Sequence, residues 1–268
     1  MQDVLISLQT DLASSIAIRY ACQLEKLVRF TMQVLHIPDM DETGHSHGSG
    51  WVHETWENAI VQQAREDIAK LVQKELFHYS TVEPKIIPGE RDLVILEEIR
   101  QKKYDFFIEG LLHSFEPDRF FQKLDSELYR SLSCPALLVK NLVNLDRGIQ
   151  IVGTKETVPS LLHWFFKVFD NSAADPDILL CHFEISWEEA VFMENDTVLI
   201  SDIESDFLKQ GKTVGKIKTV KGSPDGLALL VRDHALVISA YPQSQSDMAH
   251  LLSMSPCSIL FCPEFKID

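Results

Sequence analysis

Apolar and polar positions along the chain switch between two periodicities, and the switch points divide it into short buried strands and amphipathic helices. Val4-Leu5-Ile6-Ser7-Leu8 is an apolar run bounded by polar residues, the pattern of a strand covered on both faces. Leu12, Ile16, Tyr20, Leu24, Leu27 and Val28 then recur at steps of three and four beside Ala13, Ala17 and Ala21. That spacing predicts a helix, with Asp11 or a polar neighbour as its cap and small residues that let it lie close to a sheet. Met32 to Ile37 predicts a second strand, ended by Pro38. Strand, helix and strand at this length form a βαβ unit, so a parallel sheet with right-handed crossovers is expected.

The alternation continues. After the polar stretch Asp39 to Gly50, a long helix carries Trp56, Ile60, Ala64, Ile68, Leu71 and Val72 on one face. Lys85-Ile86-Ile87 is a short strand, Leu93, Leu96 and Ile99 mark a third helix, and Tyr104 to Ile108 is a strand stopped at Gly110. Phe120, Phe121, Leu124, Leu128 and Leu132 predict a fourth helix, and Ala136 to Val139 a fifth strand. This order predicts a doubly wound α/β domain with its ligands beyond the C-terminal strand ends.

The second half repeats the order. Ser133-Cys134-Pro135-Ala136-Leu137-Leu138-Val139 is echoed by Pro256-Cys257-Ser258-Ile259-Leu260-Phe261-Cys262, and Val34-Leu35-His36-Ile37 by Leu180-Cys181-His182-Phe183. Gly89-Glu90-Arg91-Asp92-Leu93 is echoed by Gly222-Ser223-Pro224-Asp225-Gly226-Leu227. Three echoes in one order imply a duplication. The polar stretch Asn141 to Arg147 separates the copies, giving domains over 1–142 and 148–268.

Charge narrows the range of partners. The 268 residues carry 40 acidic and 25 basic side chains, a formal charge of −15, and both halves are acidic. Such a surface argues against a nucleic-acid partner, which needs clustered Lys and Arg to displace counterions. No apolar run is long enough to span a bilayer, so no membrane partner is expected. Cys22, Cys134, Cys181, Cys257 and Cys262 are odd in number and scattered, as buried, reduced thiols of a cytoplasmic protein would be.

Local matches in the first half resemble the universal stress protein family, in its tandem two-domain form. They are Asp11 and Ser14 after strand one, Leu35-His36-Ile37 ending strand two, Tyr104-Asp105-Phe106-Phe107-Ile108-Glu109-Gly110, and Cys134-Pro135-Ala136-Leu137-Leu138-Val139. The resemblance implies two α/β domains of the adenine nucleotide alpha hydrolase-like fold, related by a pseudo-two-fold axis, with their fifth strands paired. Family members that bind ATP have an Asp at the end of strand one. They also have a loop after strand four, Gly-x2-Gly-x9-Gly-Ser/Thr, whose amides wrap the phosphates. Here Gln9 stands at the Asp position, Gly110 is kept, His113 replaces the second glycine, and Gln122-Lys123 replaces the Gly-Ser pair. In the second half Lys155 falls near the Asp position and Ala240 replaces Gly110. There the 24 positions from Gly110 to Cys134 shrink to 17 between Ala240 and Cys257. Weak or absent ATP binding follows from the resemblance. Gln9, His36, Gly110, His113 and Lys123 are the residues through which ATP or AMP would still be held.

A second candidate is the loop with His45, His47 and His53, flanked by Asp39, Asp41 and Glu42, a donor set for Zn²⁺ or Ni²⁺; a solvated Gly/Ser loop is the alternative. His36 and His182 hold equivalent places at the ends of the second strands. Neither a Walker A loop, a Gly-x-Ser-x-Gly elbow, HExxH nor Gly-x-Gly-x-x-Gly is present, so no catalytic residue is assigned and no cofactor is expected. Glu97-Glu98 and Glu188-Glu189 diverge on a helix and are expected on solvated faces; Glu109, at the end of strand four, could act as a base, but an acid there is more commonly a cap or salt-bridge partner. Trp164, Phe165, Phe166 and Phe169 are expected in a core. The functional expectation is a non-catalytic stress-response or regulatory protein with a protein partner and a homodimer as a further assembly. The alternatives are an adenine-nucleotide sensor in the first domain and a metal-responsive binder through the histidine loop.

Overall fold

A computed structural model of the chain describes residues 1–38, 51–75 (side chains from 58), 83–111, 117–184, 190–194 and 197–264. The first half runs β1 (Gln2–Ser7), α1 (Leu12–Leu24), β2 (Phe30–His36), α2 (Trp51–Glu75), β3 (Lys85–Ile86), α3 (Arg91–Gln101), β4 (Phe106–Gly110), α4 (Pro117–Asp125), α5 (Glu127–Ser131) and β5 (Ala136–Val139). A 3₁₀ turn, Leu145–Arg147, leads to β6 (Ile149–Gly153), α6 (Val158–Val168), β7 (Asp177–Phe183), β8 (Val191–Phe192), α7 (Thr197–Lys209), β9 (Ile217–Gly222), α8 (Pro224–Val231), β10 (Leu236–Ala240), α9 (Asp247–Met254) and β11 (Ser258–Cys262).

These strands form one sheet, in the order β3-β2-β1-β4-β5-β11-β10-β6-β7-β9-β8. Read outward from its middle, each side repeats the sequence fifth, fourth, first, second, third strand. Neighbours within each half are parallel, apart from β8 on β9. The two halves meet where β5 and β11 pair antiparallel, with Leu138 opposite Ile259, Leu137 opposite Leu260, and Ala136 opposite Phe261. All six side chains are buried, so each strand covers the other's otherwise open apolar edge.

Helices cover both faces. One core layer joins β1, β4 and β6 to α1, α2, α6 and α7; the other joins them to α3, α4, α5, α8 and α9. Trp164, Phe165 and Phe169 are buried in the first layer and Phe166 packs against it, as the aromatic spacing predicts. Asp11 caps α1, its Oδ1 accepting the Ser14 N–H at 2.8 Å.

Three elements differ from the expectation. The fourth helix is two helices, because the Ser126 hydroxyl accepts the Tyr129 N–H and caps a new start. The chain turns there, and Phe120, Phe121 and Leu124 reach the same core as Leu128 and Leu132. Leu93 is 51 % exposed, and α3 buries Ile95, Leu96 and Ile99 instead. The antiparallel β8 is an addition to the expected wound sheet, and Phe192 on it is 57 % exposed.

Lys140 follows β5 and is buried at this seam. Its Nζ donates to the carbonyls of Leu252 (2.8 Å), Ser255 (2.9 Å) and Ser253 (3.5 Å), at the C-terminal end of α9. The same atom lies 4.7 Å from the centroid of the Phe120 ring. The orphan carbonyls of a helix end and an aromatic face both favour a cation. Burial nevertheless lowers the ammonium pKa to about 7. Below that pH the amine is protonated in folded and unfolded chains alike. Between pH 7 and about 10.4 the unfolded chain holds one proton more, so stability gains with rising pH. The stability of Cys257→Ser relative to Cys257→Ser/Lys140→Met should therefore increase from pH 7 to pH 10 in urea titrations, the Cys257 thiol being removed because it interacts with Lys140. A flat difference would count against the buried amine.

Candidate functional site

Strand order reverses between β1 and β4: the chain leaves β1 toward β2 on one side, and β4 lies on the other. In a doubly wound sheet a ligand crevice opens beyond the C-terminal ends of such a pair. Gln9, His36 and Gly110 all come to this end. The Gln9 N–H donates to the Ser14 hydroxyl at 2.7 Å, and its side-chain Nε2 donates to the Ile37 carbonyl at 3.4 Å. His36 Nδ1 lies 2.8 Å from the Leu8 carbonyl. Burial lowers its pKa, so the ring is neutral and Nδ1 carries the proton it donates. The imidazole thus ties the ends of β1 and β2 together. His182, its counterpart in the repeat, is exposed and lies close enough to Glu156 to help lower that carboxyl's pKa.

Gly110 serves packing. A Cβ there would sit 2.3 Å from the Ala13 carbonyl oxygen, a backbone atom in the first turn of α1. The close approach of that helix to β4 explains the glycine. His113, His45 and His47 lie outside the described residues, as does Glu188-Glu189. His53 falls on α2, in the part whose side chains are not described. Among the described residues there is no group of three His, Cys, Asp or Glu side chains placed to hold a metal ion.

Lys123 is turned inward toward a buried carboxylate. Glu109, only 2 % exposed, is the penultimate residue of β4, just before Gly110, on the face opposite α1. Its Oε2 accepts from Arg91 Nη2 at 2.5 Å and from Lys123 Nζ at 2.8 Å; its Oε1 accepts the Tyr129 hydroxyl at 2.6 Å. Arg91 Nη1 also lies 3.3 Å from Asp92 Oδ1, and Asp92 Oδ2 takes the Leu128 N–H at 3.3 Å, which fixes α3 against α5. Burial alone would raise the Glu109 pKa, but Lys123 and Arg91 overcome it and hold the carboxyl at about 2. The Tyr129 phenol is pushed well up by burial and the adjacent carboxylate and stays protonated.

The strand-end acid is thus a salt-bridge partner, as the sequence suggests, but two of its partners escape sequence reading. Arg91 looks like an ordinary residue of a first helical turn, and Tyr129 like one of several core aromatics. Glu98 corrects an expectation. It is 4 % exposed rather than solvated, and it accepts from Lys85 Nζ at 2.6 Å and the Tyr104 hydroxyl at 2.7 Å. Burial opposes ionisation there too, and Lys85 and Tyr104 lower its pKa against it.

Among its described residues the second half has no counterpart of this cluster. Ser239 stands where Glu109 stands, and Pro224 where Arg91 does, by the register of β10 and the N-terminus of α8. At the end of β6 the turn closes on itself, with Thr157 Oγ1 accepting the Thr154 N–H at 2.9 Å. Lys155 lies in that turn.

With this geometry in hand, the fold is that of the tandem universal stress protein structures. Over its full length the chain matches a universal stress protein from Archaeoglobus fulgidus DSM 4304, with 15 % identity, 98 % of that chain covered and a TM-score of 0.67. A putative universal stress protein from Pseudomonas aeruginosa UCBPP-PA14 matches 98 % of the chain over 94 % of its own, at 12 % identity and a TM-score of 0.55. A functionally unknown protein from Pseudomonas aeruginosa PAO1 matches 98 % of the chain over 93 % of its own, at 13 % identity and 0.56. No family model and no curated protein matches the sequence. Among the described residues no helix is long and apolar enough to cross a membrane.

Two substitutions test this reading. Glu109→Gln removes the anion that Arg91 and Lys123 share, leaving Arg91 with Asp92 alone. It should cost about 3 kcal/mol, the low end for breaking a buried pair, because both cations keep partial access to water. The pKa of Glu109 is depressed on folding, so its contribution is complete above about pH 4.5 and is lost as pH falls toward 2. Acid unfolding followed by circular dichroism should show a weaker pH dependence below 4.5 in Glu109→Gln than in the wild type. Gly110→Ala forces α1 away from β4 and should lower stability by about 1–3 kcal/mol in urea; an unchanged midpoint would contradict the close approach.

Proposed function

We propose that the chain is a non-catalytic stress-response and regulatory protein of the universal stress protein type, built from units over 1–142 and 148–268, with weak or absent ATP binding. One observation carries this reading: Lys123, which falls at the Gly-Ser pair of the family's phosphate loop, is held by Glu109. Gly110 and His36 are likewise committed, one to the packing of α1 and the other to the Leu8 carbonyl. A triphosphate arriving at the first-half crevice would have to break contacts that stabilise the fold. The shortened connection between β10 and β11 supports the same reading for the second half.

In this proposal two rigid units present acidic faces to a regulatory protein partner in the cytoplasm, and a homodimer is a further level of assembly. The acidic balance of the chain supports a partner with a basic face. The histidine loop is a separate question, answered by titrating Zn²⁺ into the wild type and a His45/His47/His53→Ala variant in a calorimeter.

The decisive experiment is thermal unfolding with Mg·ATP and with AMP up to millimolar concentration. No change in midpoint is expected. A rise of several degrees at sub-millimolar nucleotide would replace the proposal with the nucleotide-sensor reading, in which Gln9, His36, Gly110 and Lys123 hold the ligand by an altered route.

A further inference from the structure

The donors around Glu109 form the set that a tetrahedral oxyanion uses. A guanidinium and an ammonium converge on one carboxylate oxygen, and a phenol donates to the other. Such charge-assisted contacts are the usual means of binding phosphate as well as carboxylate. A fourth donor, Ser7, lies on the strand next to Glu109. Ile6 of β1 is paired with Ile108 of β4, so the next residues along, Ser7 and Glu109, lie on neighbouring strands. Strand alternation puts both on the face of Leu5 and Phe107. Ser7 is 4 % exposed, and its hydroxyl finds no hydrogen-bond partner among the described residues. Glu109 Oε2 accepts from Arg91 and Lys123 and Oε1 from Tyr129, and neither oxygen accepts the Ser7 hydroxyl.

We propose that Arg91, Lys123, Tyr129 and Ser7 form an oxyanion site for inorganic phosphate, kept closed by the chain's own Glu109 carboxylate. The inference rests on the preceding reading, since it explains why the cations of this half are not free for a nucleotide. It places a self-occupied anion site on the α3 side of the sheet, away from the α1 side where Gly110 packs. The Arg91 and Lys123 side chains are 32 % and 21 % exposed, which leaves an approach from solvent. On the other flank Tyr129 borders a cavity of about 280 Å³ that is also lined by Leu124, Arg130 and Tyr241. With Asp92 beside Arg91, the charges of the two cations are balanced only while Glu109 is in place. Removing that carboxylate leaves two part-buried cations, a phenol and the Ser7 hydroxyl around a space once filled by an anion.

The test is chemical rescue. Glu109→Ala opens the space, whereas Glu109→Gln fills it with a neutral group of the same shape. Thermal unfolding of both variants and of the wild type is followed in sodium phosphate and in sodium chloride of equal ionic strength. The phosphate-specific rise in midpoint should reach several degrees in Glu109→Ala and exceed that of the other two proteins. Adding Lys123→Met to Glu109→Ala should abolish the excess. If Glu109→Ala does not stay folded, its yield of folded protein on dilution from urea into the two salts is the readout, and phosphate should raise it at least severalfold. No excess in Glu109→Ala, or an equal rise in all three proteins, as general salting-out would give, overturns the proposal. Wild-type protein stabilised by Mg·ATP would instead overturn the preceding reading, so the two failures are distinct.

Discussion

An apolar strand buried on both faces cannot remain at the edge of a sheet, and this chain has two of them. Leu137 and Leu138 on β5 and Ile259, Leu260 and Phe261 on β11 are all buried. Left unpaired, either strand would expose a row of peptide groups beside apolar side chains, the condition for aggregation. Pairing them antiparallel solves the problem for both halves and makes one sheet of the molecule. The groups around the seam follow from it. The Lys140 ammonium reaches across to the carbonyls at the end of α9, Trp164 Nε1 donates to the Pro263 carbonyl at 2.8 Å, and Tyr241 stacks on Phe261 at 5.4 Å. Nothing of this kind is available to a single copy, whose fifth strand would need a second chain.

Duplication also frees the halves to diverge. The first keeps a longer connection between its fourth and fifth strands and has spent it on an ion cluster: Lys123 from α4 and Tyr129 from α5 meet Arg91 from α3 on Glu109. The second has lost the length, and with Ser239 and Pro224 in the corresponding places it has lost the charges as well. The cluster ties α3, α4 and α5 to the end of β4, where a wound sheet would otherwise offer polar groups to a ligand. Only Glu109 is fully buried; burial opposes its charge, and the two part-exposed cations and the phenol together outweigh that cost.

The site residues show where sequence reading stops. Gln9, His36 and Gly110 are brought to one end of the sheet, as their places after β1, β2 and β4 imply. Their partners are another matter. A glycine after a strand looks the same whether it admits a phosphate or a helix, and only the position of the Ala13 carbonyl decides for the helix. Lys123 reads as a cation at the Gly-Ser pair of the phosphate loop, available to a nucleotide. Its partner Glu109 lies 14 positions away on β4, and only the packing of α4 on the sheet brings the two together. Glu98 looks solvated beside Glu97, yet Lys85 and Tyr104 on different elements draw it inward.

Local pattern was enough to set the alternation of strands and helices, the duplication and the wound topology. Each depends on near neighbours along the chain: apolar periodicity, caps, and glycine or proline at the ends of elements. Crossover handedness and the apolar content of the fifth strands then leave few ways to assemble them. The assignment of each charge to its partner belonged to the tertiary structure. Arg91, Glu109, Lys123 and Tyr129 are separated by 38 positions from first to last. The energy of their contact depends on burial and on distances of a few ångströms, neither of which is encoded in any short window of sequence.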